Sequence, residues 1–162
     1  GAGGHAGRLN PFPLVQEVRD WFDGPVILSG AISTGRSILA AQVLGADLAY
    51  IGSPFIATEE ANAVDAYKQG IVDGRAEDIV YSNLFTGVHG NYLRASIISA
   101  GLDPDNLPVS DPSQMNFGAA KAWKDIWGSG QGIGAVRAVE PAAALIDRLK
   151  REYAEAKAAA PR

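Results

Sequence analysis

The first seven residues, GAGGHAG, contain two residue types with different chemical uses. Glycine has no Cβ, so Gly3 and Gly4 can bring backbone amides close to a phosphate oxygen. His5, one of only two histidines, carries an imidazole that takes up or releases a proton near neutral pH. Gly1, Gly3 and Ala6 also satisfy G-x-G-x-x-G/A, the fingerprint of dinucleotide-binding units. That fingerprint must open a helix, because the helix N-terminus holds the pyrophosphate. Here Arg8-Leu9-Asn10 runs into Pro11-Phe12-Pro13, and each proline disfavours helical geometry in the residue before it. The spacing therefore favours a glycine loop over a dinucleotide turn.

Two further loops suit phosphate binding. Ser29-Gly30-Ala31 follows the apolar run 25–28, and Gly52-Ser53 follows the run 47–51. Both lead toward helix starts, where unpaired N–H groups and the helix dipole favour an anion. Together with Ala2, Gly3 and Gly4, they favour a single-phosphate site at strand C-termini, of the kind (β/α)8 barrels build after their last strands. The plainer alternative is that these glycines only make tight turns.

The elements that would position these loops follow from periodicity. Leu14, Val15, Val18, Trp21 and Phe22 fall at helical spacing over 14–22. Residues 25–28 and 47–51 predict short strands buried on both faces. A helix over 34–44 separates them, with Ser33 as N-cap and Gly45 as C-cap. Strands alternating with helices over short connections are the pattern of parallel βα units. Further on, the sequence predicts a turn of helix at 54–57, a helical stretch over 58–68, a strand at 79–81 and a helix over 92–100. A loop over 104–116 and a helix over 119–127 follow. Pro141 opens a last helix with Leu145, Ile146, Leu149 and Tyr153 on one face. The fold class is thus α/β: the C-terminal part of a (β/α)8 barrel over 1–70, and a mainly helical C-terminal extension over 71–162. A closed barrel needs roughly 200 residues or more, so its remaining strands are expected outside this sequence.

Composition narrows the chemistry. The 162 residues are 47% hydrophobic and 20% charged, an ordinary globular balance. A net charge of −4 gives no reason to expect nucleic acid or an anionic membrane surface as partner. The absence of cysteine removes disulfides, thiolate metal sites and a cysteine nucleophile from this sequence. No apolar run approaches the ~18 residues of a membrane span, so a cytoplasmic location is the default expectation.

GAGGHAG followed by PVILSGAISTGRSILAAQVLGADLAYIGSPFIATEEA resembles the nitronate monooxygenases, also called 2-nitropropane dioxygenases. YSNLFTGVHGNYLR and AWKDIWGSGQGIGAV also look like members of that family. The resemblance implies an FMN-dependent TIM barrel that oxidises alkyl nitronates or nitroalkanes with molecular oxygen. It places His5 beside the flavin as base or nitro-group binder. It assigns Ala2, Gly3, Gly4, Ser29, Gly30, Ala31, Gly52 and Ser53 to the cofactor. Ala31 stands where the family usually has a second glycine, so its amide serves only if the backbone there does not require positive φ.

Other readings stay open. FMN- and NAD(P)H-dependent enoyl-ACP reductases share the AGGH context, and a non-catalytic FMN or phosphate-binding module would share the loops. IMP dehydrogenase-like barrels need a cysteine nucleophile that this sequence lacks. His89, with Tyr81 and Asn91, is expected either to line a substrate entrance or to lie on the surface. GSGQGIG reads as a flexible connection that covers the site, or as a plain linker. The three tryptophans read as core or interface anchors, and a homo-oligomer is an open expectation.

Overall fold

The computed structural model describes residues 1–110 and 125–160. Helix α1 (Pro11–Arg19) opens three residues earlier than the apolar spacing predicts. Pro11 and Pro13 sit in the first turn, where an N–H has no intrahelical partner to lose. Asn10 caps this turn by accepting from the Phe12 amide at 3.0 Å, so the helix tolerates Phe12 despite the proline after it. The parallel pair β2 (Ile27–Ser29) and β3 (Leu48–Tyr50) brackets α2 (Gly35–Leu44). Thr34, not Ser33, caps α2, and Gly45 ends it at φ 113, a value that favours glycine.

Leu28, with Ala49 and Ile51, packs on Val15, Ile32, Ile38 and Ala41, the first core. The opposite face is open: Ile27 is 57% exposed, Leu48 58% and Tyr50 67%. Burial of these strands on both faces is therefore not met within the described residues, because only α1 and α2 pack on the pair.

The stretch 58–68 is not one helix. Thr58 forms a bridge with Glu140, and its hydroxyl donates to the Phe55 carbonyl at 2.8 Å. The bridge to Glu140 breaks the helical pattern, and turns and bends join α3 (Ser53–Ile56) to α4 (Asp65–Asp73). A second sheet was only partly visible in the sequence. Its order is β1 (Gly4–His5), β5 (Gly90–Leu93), β4 (Ile79–Ser82), all antiparallel, with Gly4 opposite Asn91 and His5 opposite Gly90. Tyr92 and Leu93 thus belong to a strand, and helix α5 begins only at Arg94 (Arg94–Ser99). A strand inside the first glycine stretch also removes the dinucleotide reading, since the next helix starts five residues beyond Ala6. Of the expected loop over 104–116, residues 104–110 carry no regular element, while its remainder and most of the helix over 119–127 lie outside the described residues.

Helix α6 (Ala142–Ala159) packs Leu145, Leu149 and Ala156 inward, whereas Ile146 is 40% exposed and leaves the predicted face. Gly35 sits so close to α6 that a Cβ there would meet the Tyr153 nitrogen and the Leu149 oxygen. Glu152 accepts from the Gly35 amide at 2.8 Å and, with Glu140, pairs with Arg148. Among the described residues, no helix is long and apolar enough to cross a membrane.

At the base of the first unit, Asp47 accepts from the Val26 amide at 2.7 Å and from Arg19 at 2.5 Å. The Val26 bond, then Arg19, hold the Asp47 carboxyl below the usual carboxylate range. A carboxylate depressed in the folded state stabilises above its unfolded pKa and loses that contribution as pH falls through the folded one. Melting temperature is therefore expected to fall on acidification below the ordinary carboxylate range. Asp47→Asn should lower it at neutral pH and flatten that acid limb, which thermal melts across pH would measure.

Candidate active site

A cleft of about 300 Å³ opens at the C-terminal ends of β2 and β3. Its walls include Ala2, Gly3, Gly4, Ser29, Gly30, Ala31, Gly52 and Ser53, so the structure brings the three predicted loops together. Three lining residues were not foreseen: Gly128, Gly130 and Gly132, from the GSGQGIG stretch. That stretch is no loose connection. Ser129 and Ile133 are fully buried, and the Gln131 amide donates to the Gly1 carbonyl at 2.9 Å. The Gly130 amide donates to Ser53 Oγ at 2.9 Å, and the Ser129 amide to the Asn91 carbonyl at 3.2 Å.

The alternation of glycine has a geometric cause. A Cβ on Gly128 would lie 2.9 Å from the Gly4 nitrogen, and one on Gly130 would lie 2.8 Å from the Gly1 oxygen. A Cβ on Gly132 would lie 2.9 Å from the Ala31 carbonyl carbon, and one on Gly3 would meet Ser129 at 2.9 Å. Two backbones approach more closely than side chains allow, and glycine at every second residue of 128–132 permits it. This period of two was the available sequence signal.

Ala31 lines the cleft with its amide turned to a protein partner. It stands at φ 56, in the left-handed region, and its amide donates to the Gly1 carbonyl at 3.3 Å. The position does require positive φ, and the amide bonds inside the protein. Helix α2 likewise offers little to an anion. The Ser37 amide bonds Thr34 Oγ1 at 3.1 Å, Ser37 Oγ accepts from Thr34 at 3.0 Å, and Glu152 takes Gly35. By contrast, Gly52 and Ser53 open α3 with no side-chain cap, and Ser53 Oγ accepts from Gly130 with its own proton left to donate. No carboxylate lines the cleft.

His5 follows Gly4 but is not part of the cleft lining. Its Nε2 lies 2.8 Å from Thr86 Oγ1, a partner 81 positions away that no local pattern could supply. Thr86 Oγ1 donates to the Val88 carbonyl at 2.9 Å, so its hydroxyl proton is engaged. With that proton engaged, Thr86 Oγ1 can accept from His5 in the tautomer that carries its proton on Nε2. Tyr81 and His89 stack at 4.9 Å, and Tyr81 donates to the Ala6 carbonyl at 2.9 Å. Asn91 is buried and donates to the Ala2 carbonyl at 2.7 Å. Tyr81 and Asn91 line a second groove on the other side of Gly1, whereas His89 is exposed and lines neither.

Outside the cleft, Tyr67 stacks on Trp127 at 5.0 Å, and its hydroxyl donates to the Gly128 carbonyl. Burial pushes the Tyr67 phenol up to about 12, so it stays a donor throughout the neutral range.

A family model described as Nitronate monooxygenase matches residues 1–152. The chain belongs to the nitronate monooxygenase family. A nitronate monooxygenase of Paraburkholderia phytofirmans is 28% identical over 170 residues, covering 93% of this chain and 46% of that protein. The solved nitroalkane oxidase from Streptomyces ansochromogenes superposes with a TM-score of 0.73 at 30% identity, covering 98% of this chain and 50% of that one. FabK from Thermotoga maritima has the same fold, with a TM-score of 0.76 at 24% identity over 97% of this chain and 53% of that one. The α/β units and helical C-terminal region thus resemble those of TIM-barrel flavoenzymes. The chain spans from about a quarter to about half of the length of the curated relatives it matches, from 27% to 46%.

Gly52 separates cleft function from stability. Its φ of −115 suits any residue, and a Cβ there would meet no protein atom within 4 Å. Gly52→Ala should leave the melting temperature unchanged or slightly raised, by up to about 1 kcal/mol of stability. It should still weaken binding of any phosphate ligand that fills the cleft, which titration of the variant would measure. Tyr67→Phe should act differently: it keeps the Trp127 stack but leaves the Gly128 carbonyl unbonded, costing about 1–2 kcal/mol by chemical denaturation.

Proposed function

We propose that this chain is the C-terminal part of an FMN-dependent nitronate monooxygenase, with residues 1–70 completing a (β/α)8 barrel and 71–162 forming an extension that closes its cofactor cleft. The observation carrying this reading is the glycine cleft at the ends of β2 and β3 in a chain of this family. The open face of Ile27, Leu48 and Tyr50 supports it, because an inward barrel face needs strands from elsewhere in the protein to cover it.

The cleft residues fit a flavin mononucleotide. Its walls are uncharged, and Gly4 and Gly52 leave space that no protein atom fills. Gly52, Ser53 and Ser29 would hold the phosphate through backbone amides and hydroxyls. Gly3, Gly4 and Gly30 would let the chain pass close to the cofactor. When bound, the flavin supplies the electron transfer between substrate carbon and oxygen.

His5 works on the proton. The imidazole would act as base toward the carbon acid of a nitroalkane, with Thr86 Oγ1 2.8 Å from Nε2 restraining the ring. A nitronate has already lost that proton. Toward it, the same ring would bind a nitro oxygen through a ring N–H.

Flavin absorbance released on denaturation, identified as FMN, together with oxygen uptake on small nitronates, tests the reading. His5→Ala should reduce nitroalkane turnover by about a hundredfold or more. Thr86→Val should reduce it less, by loosening the ring. Unchanged turnover in His5→Ala would remove His5 from the chemistry, and FMN binding without oxygen uptake would reduce the chain to a flavin-binding module.

A further inference from the structure

Gly128 and Gly130 give the cleft a wall of bare backbone, and glycine is also the residue whose backbone is freest to move. Bonds from outside must hold such a wall. On one side β5 does so: the Leu93 amide donates to the Trp127 carbonyl at 2.8 Å, and the Ser129 amide to the Asn91 carbonyl at 3.2 Å. Alternate residues of an extended segment turn their polar groups to opposite sides, so the groups of Gly128 and Gly130 face away from β5. There the Gly130 amide donates to Ser53 Oγ at 2.9 Å, at the start of α3. The Gly128 carbonyl accepts from the Tyr67 hydroxyl, its one partner among the described residues.

Tyr67 belongs to α4 and does not line the cleft. Its ring stacks on Trp127 at 5.0 Å and borders the buried cluster of Ala57, Ile71, Leu93 and Ile133. Phenylalanine would fill that space equally well, so packing alone does not call for the hydroxyl. What the hydroxyl adds is a bond from α4 to the peptide that stands against Gly4. A Cβ on Gly128 would lie 2.9 Å from the Gly4 nitrogen, so any shift of this peptide is felt directly by the opposite stretch of backbone. Helices α3 and α4 thus grip the wall two residues apart, one through Ser53 and the other through Tyr67.

We infer that Tyr67 is a positioning residue of the cleft: its hydroxyl sets the plane of the Gly128 peptide and, with Ser53, fixes the 128–130 wall relative to the Gly52-Ser53 start of α3. Its effect on a cofactor rests on the FMN reading above, and its effect on the wall does not. A tyrosine that only stabilises the fold would act on the whole protein alike. A positioning one changes the wall, and the ligand held there, more than the remainder.

The test compares Tyr67→Phe with the parent and with Leu145→Val, which shortens a buried residue of α6 that does not line the cleft. Both variants should lose stability in chemical denaturation. Titration of the full-length protein should show FMN held about fivefold to tenfold more weakly by Tyr67→Phe, the fold-change of one net hydrogen bond, with shifted visible bands of the bound flavin. Leu145→Val should keep the affinity and spectrum of the parent. Without flavin, amide hydrogen exchange at Ser129 and Gly130 should quicken about fivefold in Tyr67→Phe relative to Ile38, whose amide bonds to Thr34 at the start of α2. Parental FMN affinity in Tyr67→Phe, or an equal loss in both variants, would overturn the inference and leave the FMN reading standing. If the parent binds no flavin, the FMN reading falls and exchange decides the wall: selective quickening at Ser129 and Gly130 upholds Tyr67, and an even change overturns it.

Discussion

Everything at this site depends on two stretches of backbone lying closer together than side chains allow. Residues 1–4 and 128–132 meet through Gly3, Gly128 and Gly130, where any Cβ would come within about 3 Å of opposing backbone atoms. The approach is held by polar bonds as well as by shape. The Gly1 carbonyl accepts from Ala31 and Gln131, Asn91 donates to the Ala2 carbonyl, and Ser53 accepts from Gly130. Each of the three predicted loops is therefore bonded to the others or to the C-terminal glycine stretch. A cleft walled by bare backbone would otherwise leave buried amides and carbonyls unmet, a heavy cost in a protein interior.

The same accounting separates what the helices do. The start of α2 resembles an anion site in sequence, since it follows Ser29-Gly30-Ala31. In the fold, Thr34, Ser37 and Glu152 take up its amides, and Glu152 brings a negative charge to the positive end of the helix dipole. That carboxylate is also half of the clamp between α2 and α6, with Arg148 beside it. Helix α2 is thus an anchoring element that fixes the Gly30 loop from behind. The helix start that lines the cleft is instead that of α3, where Gly52-Ser53 carries no side-chain cap and faces the glycines.

Much of this was legible in the sequence where the determinants are local. The βα unit over β2, α2 and β3 followed from apolar runs, a polar cap and Gly45. The grouping of Gly3, Gly30 and Gly52 followed from their positions at strand ends. What could not be read was set by distant partners. GNYL in β5 shows no strand alternation, and it forms a strand because Gly4, His5 and β4 flank it. Thr58 leaves a helical pattern because Glu140 pairs with it. Thr86 reaches His5 across 81 positions, and nothing near either residue marks the other.

His5 shows how one strand serves two purposes. Successive residues of a strand point to opposite faces, so the pairing of β1 with β5 sets Gly4 and His5 on different sides. Gly4 lines the cleft, at a φ of 68 that favours glycine, while the His5 ring meets Thr86 beyond it. A cradle residue and an ionisable one are thereby adjacent in sequence yet separated by a backbone. The pairing that orders the glycines also fixes where the imidazole can reach. Since Thr86 is held by both its bonds to Val88, a turn of the C-terminal region restrains the ring. Residues 79–93 therefore help build the site itself, with β5 as the rail along which both the cradle and the histidine are aligned.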